Sequence, residues 1–114
     1  MNTPLIPAAT IILMRAAKNG FEIFLAKRNS KSTFGDVYVF PGGKLDEADY
    51  DEDLHQFCYG IDEISASKKL GLTENGLAYW LACIRECFEE VGILLTSKHD
   101  DLIHNDDRLN SYRN

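Results

Sequence analysis

The chain has no CxxC pair, no apolar run of membrane-spanning length, no surplus of positive charge and no internal repeat, and each absence removes a class of function. Three cysteines, Cys58, Cys83 and Cys87, cannot all pair with one another, and their spacing lacks the close pairs of a zinc site. Cys83 and Cys87 lie four apart and can share the inner side of a helix. Buried reduced thiols are expected there, because a free cysteine behaves as a small hydrophobe. The histidines, His55, His99 and His104, sit in polar surroundings without ligand-like spacing and read as surface or loop residues. A formal charge of -6 argues against a nucleic-acid-coating surface or an anionic membrane as the main partner. An acidic protein can still bind a polyanion when metal ions lie between them. Met1 to Ala9 lacks the basic start and apolar core of a signal peptide, so a cytoplasmic protein that does not enter membranes is expected.

What is present is enough for one domain over residues 1–114, with a hydrophobic content of 45% that can supply one core. Ala8 to Ala17 and Phe21 to Arg28 read as paired strands, with Lys18-Asn19-Gly20 supplying the turn. Asn29 to Gly35 reads as a loop and Asp36 to Phe40 as a short strand that Pro41-Gly42-Gly43 stops sharply. Lys44 to Asp49 is acidic and loop-like. From Tyr50 to Leu72 the pattern predicts helix in pieces, with Leu54, Phe57 and Cys58 on one apolar stripe, Ile61, Ile64 and Leu70 on another, and Gly60 and Gly71 as stop signals. Thr73 is the expected N-cap of a long helix, with Glu74 near its positive end. Leu77, Trp80, Leu81, Ile84, Cys87, Phe88 and Val91 recur at helical spacing as its buried stripe, and Gly92 ends it. Trp80 therefore reads as core and Tyr79 as its flank. Ile93 to Leu95 leaves as a short strand, and a polar stretch follows Thr96.

On that helix, Arg85-Glu86-Cys87-Phe88-Glu89-Glu90-Val91-Gly92 gathers three carboxylates at neighbouring positions. Like charges at this spacing destabilise a helix unless a cation sits among them, and a hard divalent ion with oxygen ligands is the natural candidate. The plainer reading is a solvated acidic face. A Pro-Gly-Gly turn lets backbone come close to a ligand, but alone it is a common turn.

Together the two stretches resemble the Nudix hydrolases, whose box reads Gly, five residues, Glu, seven residues, then Arg-Glu-U-x-Glu-Glu-x-Gly-U, where U is a bulky aliphatic. Arg85 to Ile93 matches the second half except that Cys87 replaces the first aliphatic. Gly43 stands as the box glycine, with Asp49 at the glutamate position, one methylene shorter. Tyr50 to Ile84 makes 35 residues where the family has seven, an insertion of 28. An interrupted box of this kind is similar to the branch of the peroxisomal coenzyme A diphosphatase and its bacterial relatives. The likeness covers most of 8–95 and is weakest over 50–72.

The resemblance implies an α/β (α+β) fold, a Nudix-type α/β/α sandwich with a mixed sheet and a helical insertion at about 50–72. It also implies Mg²⁺- or Mn²⁺-dependent hydrolysis of a diphosphate linkage in a nucleoside diphosphate derivative, with coenzyme A or its esters as candidate substrates. Glu89, Glu90 and the Gly43 carbonyl are the implied metal ligands, Glu86 a further ligand or the base toward water, and Arg85 the group that orients Glu86 or Glu89. Arg28 and Lys44 are candidate substrate contacts. The family fold needs more strands than Ile93 to Leu95 supplies, so either the chain is the N-terminal portion of such a domain or another chain provides them. An open sheet edge then predicts homo-oligomers. The rival reading is a Nudix-like module that binds a nucleotide diphosphate without cleaving it, which Asp49 favours. A helical interaction domain with an acidic face leaves Pro-Gly-Gly unexplained.

Overall fold

Turn chemistry sets the first hairpin. The computed structural model describes residues 3–28 and 37–96. In it β2 (Met14–Ala17) and β3 (Gly20–Ile23) pair antiparallel across a Lys18-Asn19 turn, with Gly20 at φ 140°. Glycine takes that angle without steric cost. Arg15 lies opposite Glu22, and their side chains meet at 2.6 Å. The two strands expected at 8–17 and 21–28 are each interrupted. The leading piece, β1 (Ala8–Thr10), pairs with β6 (Gly42–Lys44), and the trailing piece, β4 (Ala26–Arg28), pairs with β5 (Val37–Val39).

Pro41-Gly42-Gly43 therefore does not stop the chain as expected; it opens β6. Proline lacks an N–H yet is tolerated just outside a strand. Its carbonyl still accepts the Ile11 N–H at 2.9 Å, so the ladder continues past it. All strand pairings among the described residues are antiparallel pairs of two. With the helices below, the architecture is mixed α+β. The loop expected at 29–35, which includes Lys31, and the polar stretch after Thr96, which includes His99 and His104, lie outside the described residues.

The acidic stretch expected as loop contains a 3₁₀ turn, Glu47–Tyr50, whose start is tied by the Asp46 N–H donating to Asp49 Oδ2 at 2.8 Å. The insertion then forms α1 (Glu52–His55) and α2 (Glu63–Leu70); Gly71 stops α2 at φ 71° as expected, but α1 already ends at His55, capped by Gln56, five residues before Gly60. Its apolar stripes are not buried: Phe57 is 75% and Ile64 81% exposed. Small residues make the contact instead. Ala66 and Ser67 are buried on α2 because they let α3 (Gly76–Val91) come backbone to backbone at Gly76.

α3 begins three residues later than the expected cap at Thr73. Its preceding residue, Asn75, has φ 67° and makes no side-chain cap. The orphan amides of this helix end are met from α2. The Glu63 carboxylate accepts from Asn75 N–H at 2.7 Å and Leu77 N–H at 3.0 Å, and Ser67 Oγ accepts from Gly76 N–H at 2.8 Å. Glu63, rather than Glu74, supplies the negative charge at the positive end of the dipole. These bonds, the one from Leu77 first, hold the Glu63 carboxyl below its ordinary pKa.

The core is built on α3, which packs against α2, β6, β1 and the 3₁₀ turn. Leu77, Ala78, Ala82 and Cys87 are buried. The expected stripe is recovered at Leu77 and Cys87, while Trp80, Leu81, Ile84, Phe88 and Val91 are half-buried. The fully buried line runs through Ala78 and Ala82, whose small side chains admit close neighbours. Gly92 closes the helix at φ 74°, as expected. Of the short strand expected at 93–95, Ile93 alone makes a strand-type pairing. Among the described residues no helix is long and apolar enough to cross a membrane.

Candidate functional site

Arg85 joins the two separated stretches. Its Nε–H donates to Asp49 Oδ1 at 2.9 Å and its Nη2–H to Asp49 Oδ2 at 2.9 Å, a two-pronged pair across 36 positions of sequence. Nη2 also donates to the Lys44 carbonyl at 3.0 Å. Nη1 donates to Glu86 Oε1 and Glu89 Oε2, both at 3.0 Å. The planar fork of arginine suits such a parallel pair of bonds, and lysine has no equivalent. The Asp49 bonds, aided by its charge and by Glu86 and Glu89, raise the Arg85 pKa further above its ordinary value, so the guanidinium stays charged.

Asp49 is 2% exposed, and its carboxylate is filled by Arg85 and the Asp46 N–H. The shorter side chain at this position thus accepts three hydrogen bonds, engaging both oxygens. Its main-chain carbonyl meets His55 Nε2 at 3.1 Å. Spacing gave no sign of that contact, and the half-buried His55 corrects the surface reading of this residue.

Gly43 and Glu86 face each other closely. A Cβ on Gly43 would stand 2.5 Å from Glu86 Oε1, so any larger residue would displace the carboxylate. β6 delivers Gly43 to this place opposite Ala9. Glu90 Oε2 receives a long bond from Gly42 N–H at 3.3 Å. Glu90 and Gly42 also line a cleft of about 360 Å³ with Lys27, Arg28, Val39 and Phe40. The structure therefore brings together Gly43, Asp49, Arg85, Glu86, Glu89 and Glu90, and sets Arg28 on the same cleft as Glu90. Lys44 joins through its carbonyl, a role the sequence did not signal, and its side chain is exposed.

The cation expected among the acidic residues is in part Arg85 itself. Its one guanidinium bonds three carboxylates, those of Asp49, Glu86 and Glu89, while Glu90 borders the cleft that Lys27 and Arg28 line. The donors are hard oxygens, which fit Mg²⁺ or Mn²⁺ in chemistry. Among the described residues no three His, Cys, Asp or Glu side chains converge on a single point to hold an ion. Cys87 is buried beneath this face, and burial followed by the charge of Glu90 pushes its thiol pKa up. Burial does the same for Cys83 and Cys58. All three are free and protonated, as inert thiols should be.

Compared with models of known protein families, with curated proteins and with solved structures, the chain matches none.

Proposed function

We propose that the chain carries the acidic half of a Nudix-type site for metal-dependent hydrolysis of a diphosphate linkage in a nucleoside diphosphate derivative, with coenzyme A or its esters as the candidate substrates. The single observation that carries this reading is the Arg85 fork. It draws Gly43–Asp49 and Arg85–Glu90 into one cluster although 35 residues, Tyr50 to Ile84, stand between Asp49 and Arg85. A solvated acidic helix face has no need of a buried carboxylate from a distant turn, nor of a glycine pressed against a glutamate.

Glu86, Glu89, Glu90 and the Gly43 carbonyl would hold Mg²⁺ or Mn²⁺. When bound, such an ion neutralises the diphosphate, polarises phosphorus and acidifies water near neutral pH. The chain's own residues do the rest. Arg85 fixes Glu86 and Glu89 against the helix and tempers their repulsion. Glu86 is the candidate acceptor of the proton from the attacking water. Arg28, on the cleft that Glu90 borders, supplies positive charge for a phosphate group.

Incubating the chain with Mg²⁺ or Mn²⁺ and a panel of coenzyme A, ADP-ribose, NADH and diadenosine polyphosphates tests the reading. A monophosphate product is expected from at least one compound, falling at least about a hundredfold in Glu89→Gln. Binding without product assigns the site to the non-cleaving module instead.

A further inference from the structure

One side chain of the insertion, that of His55, bonds to the main chain of a site residue. His55 ends α1 and reaches back six residues, where Nε2 lies 3.1 Å from the main-chain oxygen of Asp49. A carbonyl oxygen only accepts, so the proton of this bond must lie on Nε2. The carboxylate of the same residue is committed to Arg85 by two bonds and to Asp46 N–H by a third. Asp49 is therefore gripped at both ends, by the box helix at its side chain and by the insertion at its backbone.

Packing alone does not account for the ring's place. His55 lines an open cavity of about 810 Å³ with Glu52, Tyr59, Asp62 and Glu63, so one side of its surroundings is solvent. The 3₁₀ turn that presents Asp49 is four residues long and is held by a capping box and by the Asp49 and Asp51 N–H bonds to the Asp46 and Ala48 carbonyls, so the Asp49 carbonyl is left to a partner from outside the turn. The His55 bond adds a hold on the Asp49 main chain that neither the turn nor Arg85 supplies.

We propose that His55 is a positioning residue: its Nε2–H bond to the Asp49 carbonyl lets the insertion set the Asp49–Arg85 joint on which the proposed site depends. This assignment rests on reading that joint as part of the site, but it is tested without turnover. Glutamine can place a donor NH₂ near the position of Nε2, whereas alanine and phenylalanine cannot, and phenylalanine keeps the ring volume.

The experiment uses the full chain without added metal. Imidazole ¹⁵N and ¹³C shifts report the His55 tautomer, and solvent exchange of the Arg85 Nε–H reports the joint. A proton on Nε2 is expected. Arg85 Nε–H exchange is expected to quicken about fivefold in His55→Ala and His55→Phe, the scale of one lost hydrogen bond, and to return toward native in His55→Gln. The Nδ1–H tautomer would overturn the assignment. So would native-like exchange in His55→Phe, or exchange in His55→Gln as fast as in His55→Phe. Should His55→Ala fail to fold, the tautomer and the Phe and Gln pair still decide. Absence of diphosphatase activity in the native chain would count against the proposed function and leave this result unaffected.

Discussion

Asp49 and Arg85 hold the most consequential residue pair. The Asp49 side chain is 3% exposed and that of Arg85 24%, so removing the guanidinium strands a carboxylate away from water. Breaking such a pair from one side is costly because the remaining charge keeps its desolvation penalty. Arg85→Ala should lower unfolding free energy by about 3 kcal/mol in urea titrations, and Arg85→Lys by less, since one ammonium cannot span both oxygens. Much of this residue-level picture was legible. The spacing of Arg85 and Glu89 on a helix gives their contact directly, and the box pattern points to Gly43 and Asp49. What the sequence did not disclose are the bonds made through backbone: the Lys44 carbonyl, the Asp46 N–H and the Asp49 carbonyl at His55. Main-chain groups are the same at every position, so side-chain chemistry along a sequence carries no mark of which ones will be used.

Among the elements, the crossing of α2 and α3 fixes the box helix. A Cβ on Gly76 would overlap the Ser67 nitrogen and the Ala66 carbonyl carbon, both backbone atoms that cannot step aside. Gly76→Ala should therefore cost about 2 kcal/mol, measured by chemical denaturation, although alanine is ordinarily the better helix former. The cap provided by Glu63 has a pH signature. Its folded pKa is depressed, so its contribution is complete above the unfolded value near 4.3 and is lost as pH falls through the lower folded value. Glu63→Gln should be less stable than the native chain at pH 7, with the gap closing below about pH 4 in thermal melts. The ends of α2 and α3 were readable from Gly71 and Gly92, whereas α1 ends at His55, five residues before Gly60. The inner faces were not. Apolar periodicity selects Ile64 and Phe57, yet the close approach at Gly76 admits only small residues, and Ala66 and Ser67 carry no hydrophobic signal.

For the molecule as a whole, the strands stand in three antiparallel pairs among the described residues, and apolar side chains on them remain open, Phe21 at 61% and Met14 at 59%. Two-stranded pairs are marginal by themselves, and exposed edges invite further pairing. Sedimentation of the chain at micromolar concentration should accordingly show species above the monomer mass, and Phe21→Lys should shift the distribution toward monomer. A single monomeric boundary at all concentrations would count against this. The mixed α+β class agrees with what the resemblance implied. The three separate pairings were not legible, because nothing in the local pattern of Ala8–Thr10 distinguishes Gly42–Lys44 as its partner from the adjacent Phe21–Arg28.

The proposed function requires that Gly43, Glu86, Glu89 and Glu90 close on a divalent cation across the interrupted box, and Mn²⁺ titration followed by electron paramagnetic resonance asks whether they do. Free Mn²⁺ signal should fall on adding the native chain, and binding should weaken at least about tenfold in Glu86→Gln, where a charged oxygen ligand is lost, and in Gly43→Ala, where the new Cβ displaces the Glu86 carboxylate. Mn²⁺ that stays free, or that binds the native chain and both variants equally, would contradict the account.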